Sequence, residues 1–259
     1  QGGMVVAFVL AVVMNVGSYW FSDRIVLSMY KAQELGVNDA PALHRMVDEL
    51  ARKAGVQKPR VYLVPQDAPN AFATGRNPQN GIVAVTRGIV NLLSPDELRG
   101  VLAHEMGHIK NRDILVQTIA ATIGGTIVMV ANMVKWMTIF GFGGRDDEGG
   151  GGNPLFMLLM AILAPIAAMI VQMAISRSRE YLADRTGAEL SGTPGALADA
   201  LEKLEAYSRR IPLQGGNPAT ENMFIVNPFA GFSMGSLFST HPPIAERVAR
   251  LRAMGGRRY

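Results

Sequence analysis

Residues 98–134 read LRGVLAHEMGHIKNRDILVQTIAATIGGTIVMVANMV, and a metal-binding pattern runs there directly into a membrane pattern. The first part carries His104-Glu105-Met106-Gly107-His108. On a helix, side chains four residues apart project from one face about one turn apart, so both imidazoles reach a single zinc ion. Glu105, beside the first, reaches a water on that ion as general base. Just upstream, Ser94-Pro95-Asp96-Glu97 supplies a cap residue, proline at the first helical position and glutamate at the third, a capping box that opens the helix. The chain has only 4 histidines, so two of them falling on this pattern point to a metal site rather than to chance surface residues. The second part, Ile114 to Val134, holds no charged residue. As helix it covers about 31 Å at ~1.5 Å per residue, the thickness of a bilayer's hydrocarbon core.

Working outward, Leu155 to Ile175 repeats the uncharged run, and Met4 to Ser22 does so near the start, closing on Tyr19, Trp20 and Phe21, aromatic side chains suited to the headgroup level. With 49% hydrophobic and 18% charged residues, part of the chain is expected to be solvated by lipid. Cysteine is absent, which excludes a disulfide framework and a thiolate zinc site and leaves His, Asp and Glu as ligands. The net charge of +4 does not mark a nucleic-acid binder, because no basic run is interleaved with aromatic residues.

Flanking charge sets the orientation. Lys110 and Arg112 precede the second run and Arg177 and Arg179 follow the third, whereas the connector Gly141 to Asn153, GFGGRDDEGGGGN, has one Arg against three acids. The positive flanks belong on the cytoplasmic side. The connector then faces outward as a Gly-rich linker, with Lys135 and Trp136 at the outer interface. Asp146, Asp147 and Glu148 read as solvated linker in preference to a calcium site. Arg24 and Lys31 follow the first run, which places Gln1 outside and calls for a further span upstream.

The expected fold is mainly α with a small β-sheet: a multi-span α-helical membrane protein with a zincin-like catalytic domain. Residues 1–30 hold the first span and its exit, and residues 31–113 the N-terminal part of the catalytic domain. Residues 114–175 form an inserted membrane hairpin, and residues 176–259 the C-terminal catalytic part. Within these, Pro41 to Ala54 shows helical spacing of Leu43, Met46, Val47, Leu50 and Ala54 and stops at Gly55. Val61 to Val64 and Ile82 to Thr86 read as strands, with Asn70 to Thr74 a third between them. Gly195 to Arg209 and Pro243 to Arg252 read as amphipathic helices. His44 reads as structural.

A catalytic zinc takes three protein ligands and leaves a position open. No histidine follows at the HExxHxxGxxH spacing, since Asn111 and Ile114 stand there, which favours a carboxylate from a second helix. Ser176 to Leu190, SRSREYLADRTGAEL, presents Glu180 and Asp184 four apart. By spacing alone, Glu180 as ligand with Asp184 behind an imidazole competes evenly with a solvated face paired to Arg177, Arg179 and Arg185.

Four ordered motifs carry a resemblance. NAFATG at 70–75, LRGVLAHEMGHIKNRD at 98–113, SRSREYLADRTGAEL at 176–190 and SLFSTHPPIAERV at 236–248 are similar to the HtpX-type membrane zinc proteases, relatives of the CAAX prenyl endopeptidases. The resemblance implies one zinc ion on His104, His108 and Glu180, with Asp184 supporting them. It further implies that His241 and Arg247 complete the catalytic site and that the strand Asn70, Ala71, Phe72, Ala73, Thr74 lines the substrate cleft. The expected partners are polypeptides, membrane proteins among them, and the lipid bilayer. The expected place is the bacterial inner membrane with the site facing the cytoplasm, and the expected role is protein quality control. Two other readings of the residues stay open: a scaffold holding structural zinc, and a zinc hydrolase of lipid-linked small molecules.

His108 precedes both long runs and Glu180 follows them, so an even number of crossings is needed to bring them to one ion. His108 lies six residues before Ile114 and Glu180 five after Ile175, which puts the ion within about 10 Å of the membrane boundary at helical rise.

Overall fold

A computed structural model describes residues 2–140, 154–210, 225 and 241–256. In chain order the elements are α1 (Gly2–Trp20), α2 (Ser22–Met29), β1 (Gln33–Glu34), α3 (Pro41–Ala54), β2 (Arg60–Val64), β3 (Ala71–Thr74), a 3-10 turn (Pro78–Asn80), β4 (Ile82–Thr86), α4 (Arg87–Leu92), α5 (Pro95–Lys110), α6 (Asp113–Phe140), α7 (Pro154–Ser191), α8 (Pro194–Arg210) and α9 (Ile244–Gly255). The protein is mostly helical with one small mixed sheet. The connector 141–153, with Asp146, Asp147 and Glu148, and residues 236–240 of the last motif lie outside the described residues.

The sheet runs β1-β2-β4-β3. β2 and β4 are parallel, with Val61 opposite Val83. β3 is antiparallel to β4, with Phe72 opposite Ala84, and stands at an edge of the sheet. All five residues of β4 are buried, as expected of a strand covered on both faces. The β3–β4 connection turns at Gly75, where φ is +121° and a Cβ would fall 2.1 Å from the Asn80 carbonyl oxygen, so only glycine fits there. Three short elements, β1, α4 and α2, carry no strong pattern in the sequence. The first apolar run forms α1, and a turn at Phe21 near its end separates it from α2.

Helix α5 is the centre. Its capping box is formed from both sides, Glu97 Oε2 accepting from Ser94 N at 2.8 Å and Ser94 Oγ from Glu97 N at 3.4 Å. Lys203 of α8 donates to the same carboxylate at 2.8 Å. Every residue from Gly100 to Gly107 is buried, because α5 is packed against α3, α7, α8, β3 and β4. Its contact with α7 is close enough to require glycine on both helices. A Cβ at Gly107 would lie 3.2 Å from Ala183 Cα, and one at Gly187 would lie 2.8 Å from the His104 backbone nitrogen.

Two helices have stretches long and apolar enough to cross a membrane, residues 113–135 and 158–191, and only 11% and 6% of their most apolar windows is buried within the protein. A core helix of a soluble protein would be covered, whereas exposed Ile119, Ile123, Leu163, Ile166 and Ile170 are suited to lipid. α6 and α7 pack on each other, and Gln172 Nε2 donates to Ala120 O across them at 3.4 Å. The third apolar run continues without a break into the segment bearing Glu180 and Asp184, so span and candidate ligand share one 38-residue helix.

Substituting Gly187→Ala is expected to destabilise the protein by about 1–3 kcal/mol through overpacking, whereas Gly125→Ala, with nothing within 4 Å of its added methyl, is expected to be neutral or stabilising. Thermal unfolding in detergent compares the two.

Candidate metal centre and cleft

Helix α5 presents His104 and His108 toward Glu180 on α7, and among the described residues these three form a group able to hold a metal ion, their ligand atoms all within 4.8 Å of one another. His104 Nε2 and His108 Nε2 are 3.1 Å apart. Glu180 Oε2 lies 3.7 Å from the first and Oε1 3.6 Å from the second. Metal–ligand bonds of about 2.0–2.2 Å in a tetrahedron separate ligand atoms by about 3.3–3.6 Å. The spacing therefore fits a zinc-sized ion. Two imidazole nitrogens and a carboxylate converging in a buried place also make a concentration of lone pairs that a cation completes.

The rear nitrogen of each imidazole faces a carboxylate. His104 Nδ1 is 2.9 Å from Asp184 Oδ1, and His108 Nδ1 donates to Asp113 Oδ2 at 2.7 Å. This arrangement sets the tautomer and turns Nε2 toward the metal position. Arg247 of α9 then holds the carboxylates. Its Nε and Nη2 donate to Asp184 Oδ2 and Oδ1, each at 2.7 Å. Nη1 lies 3.1 Å from Glu180 Oε2 and donates to Ile225 O at 3.1 Å. The side chain of Arg247 is 0% exposed. Arg179 donates to Asp113 Oδ1 at 3.3 Å.

Burial opposes the charge on His108, yet its hydrogen bond to Asp113 and the Glu180 and Glu105 charges override burial and push its pKa up to about 9. Burial raises the Glu105 carboxyl above the usual carboxylate range, against the pull of His108 and His104. Arg247 is desolvated, and Asp184 and Glu180 hold its proton more firmly still.

A cleft of about 200 Å³ opens over these groups. Phe72, Ala73 and Thr74 of β3 line it together with Glu105, His241, Val26 of α2, and Asp113, Ile114 and Gln117 at the start of α6. Ala73 of the edge strand and the candidate base Glu105 thus share this cleft. Of the five residues expected along the cleft, Asn70 and Ala71 do not line it. Asn70 N donates to Thr86 Oγ1 at 2.8 Å and its Oδ1 accepts from Ile225 N at 3.3 Å, so it anchors the strand, and Ala71 is fully buried in the core. His241 Nδ1 lies 3.5 Å from Glu180 Oε2. Arg247 is brought behind the ligands and not into the cleft. His44 is apart from the site, its Nε2 3.1 Å from Leu35 O.

The sequence reading misses Asp113. Its signal is a single acid directly before an uncharged run, which reads equally as a favourable charge at a helix N-terminus. Only the left-handed Arg112, φ 54°, turns the chain so that Asp113 meets His108.

The model of peptidase family M48 matches residues 38–255. The chain belongs to that family. A "Protease HtpX homolog" of Syntrophobacter fumaroxidans is 59% identical over 254 residues, covering 97% of this chain and 90% of the relative. Another, of Persephonella marina, is 59% identical over 260 residues, covering 99% and 90%, and one of Pyrococcus furiosus is 56% identical over 252 residues, covering 97% and 86%. The crystal structure of Ste24p of S. mikatae has TM-score 0.62 at 19% identity. It is covered over 58% of its length by 96% of this chain, a likeness of fold. The M48 chain described here is a membrane metalloprotease, and polypeptides are its substrates.

Asp113→Asn is expected to lower metal affinity about 10- to 100-fold while the helical circular dichroism is unchanged. Competition with a chelator in detergent measures it.

Proposed function

We propose that this M48 protease is a zinc endopeptidase that cleaves membrane and misfolded proteins at the cytoplasmic face of a bacterial inner membrane, in protein quality control under stress. The observation that carries the reading is the convergence of His104, His108 and Glu180, with Glu105 beside them, at the wall of a cleft bounded by an edge strand. His104, His108 and Glu180 would hold one zinc ion. When bound, zinc supplies Lewis-acid polarisation of the scissile carbonyl and acidifies a water.

β3 positions the substrate as an added strand, pairing main chain with main chain, so extended polypeptide is favoured over lipid-linked small molecules. Glu105 takes the proton from the attacking water and passes it to the leaving amine. Burial raises its pKa above the ordinary carboxyl value, which makes it a stronger base than a carboxylate in water. His241, at the cleft wall, is placed to donate to the developing oxyanion. Arg247 positions: it keeps Glu180 and Asp184 ionised and in place, and through Asp184 it orients His104. A structural zinc site has no use for a base, and Glu105 is such a group.

Residues 31–113 and 176–259 together form the catalytic part, and residues 114–175 are the hairpin that anchors it, with α1 as a further span. Lys110, Arg112, Arg177 and Arg179 on the site's side of that hairpin support the cytoplasmic orientation.

Glu105→Gln is expected to retain metal and fold while peptide cleavage falls by about 10²–10⁴ or more, whereas Glu180→Ala is expected to lose the metal. Metal content and hydrolysis of an unstructured protein in detergent read both, and undiminished cleavage by the Gln variant refutes the mechanism. In vesicles of known orientation, cleavage is expected at cytosol-exposed sites near spans, and cleavage confined to the opposite face refutes the orientation.

A further inference from the structure

Gln117 is a polar side chain on the first turns of an otherwise apolar membrane helix. Three threonines of α6 are internally satisfied: Thr118, Thr122 and Thr126 each donate to the carbonyl four residues earlier at 2.8 Å. Gln172, the corresponding amide of α7, is bonded to Ala120 O. Gln117 makes no hydrogen bond to any described residue. It is partly buried and lines the same cleft as His104, Glu105, His108 and Glu180. Its amide atoms are not among the buried polar atoms without a partner, so the carboxamide is open to the cleft and can exchange water for a ligand, and polar groups retained in such places serve a ligand or a pathway.

The ligand follows from the chemistry. A carboxamide offers one acceptor and two donors, the complement of a peptide group, which has one N–H and one C=O. Val26 and Ile114 of the same lining are apolar, and Asp113 beside them is already engaged by His108 and Arg179. We infer that Gln117 is a substrate-binding residue that hydrogen-bonds a main-chain amide of the bound polypeptide on the membrane side of the cleft, with Val26 and Ile114 taking an adjoining apolar side chain. Such a contact adds a second main-chain anchor to the one offered by β3. It lets a chain be held by its backbone as it leaves the bilayer, where unpaired peptide groups are most costly. The inference rests on the endopeptidase reading above.

The test uses the full-length, zinc-loaded protein in detergent and an unstructured peptide substrate, together with a series in which single backbone amides flanking the scissile bond are replaced by esters, removing one N–H each. The Gln117→Leu variant is expected to keep metal content and thermal midpoint and to lower kcat/KM about fivefold, the value of one hydrogen bond, chiefly through KM. Gln117→Asn is expected to recover part of that loss. At one ester position the wild type is expected to lose about fivefold and Gln117→Leu nothing, since the contact is already gone. Equal sensitivity of both proteins at every ester position overturns the inference, as does a kcat/KM unchanged in Gln117→Leu or a loss that tracks lost metal. Absence of peptide cleavage by the zinc-loaded wild type, or its persistence in Glu105→Gln, instead overturns the endopeptidase reading itself.

Discussion

A fully buried guanidinium is costly to place, and Arg247 is tolerable only because Asp184 and Glu180 meet it at 2.7 and 3.1 Å. The dependence runs equally the other way. Glu105, Asp113, Glu180 and Asp184 are each no more than 5% exposed, and carboxylates so crowded and desolvated would take up protons unless positive charge stood among them. Arg247 supplies that charge from behind, Arg179 supplies it beside Asp113, and a metal cation held by His104, His108 and Glu180 would complete it in front. Removing one partner of such a buried set costs about 3–5 kcal/mol, because the others are left uncompensated. The site is thus held by charge compensation between helices far apart in sequence. The last helix, α9, must be docked on α7 before His104 and Glu180 have their final settings.

What makes this arrangement compact is the approach of α5 to α7 through Gly107 and Gly187. A Cβ at Gly187 would fall 2.8 Å from the His104 nitrogen and one at Gly107 3.2 Å from Ala183 Cα, so a side chain at either position makes the seam that carries the candidate ligands give way. Close packing and metal geometry are therefore one constraint. The elbow at Asn111 and Arg112 adds the last part. It ends α5 after His108, begins the membrane helix at once, and in doing so brings Asp113 back beneath His108. The boundary of the apolar span and the support of a candidate ligand are set by the same turn.

Much of this is legible in the sequence where the signal is local. Helix α5 can be read from end to end, because Ser94, Pro95 and Glu97 announce its start and His104 and His108 need only helical spacing to share a face. α3, with its stop at Gly55, and β4 are equally plain, since periodicity and turn residues coincide. The spans of α6 and α7 follow from length without charge. Glu180 is different. Its spacing to Asp184 suits a ligand pair and a solvated face alike, and what separates the two is burial against α5 and α9, which no local pattern records. Arg247 looks like a surface charge on an amphipathic helix for the same reason. Asp113 is hidden because its role depends on a left-handed residue that is an arginine, where a glycine would have signalled the turn. Asn70 is legible as the start of the cleft strand, but its side chain is directed to Ile225, a contact across 155 residues.

The placement of the centre at the membrane boundary has a chemical consequence. A carboxylate in open water is a weak base at neutral pH, with little affinity for the proton it must accept. Burial raises the Glu105 carboxyl above its ordinary value, so that it takes up a proton more readily than a carboxylate in water. A metal dication held by His104, His108 and Glu180 would pull the other way, favouring the ionised carboxylate. In the proposed mechanism the two effects together would meet what a general base requires: desolvation to favour taking the proton, and positive charge to favour releasing it beforehand.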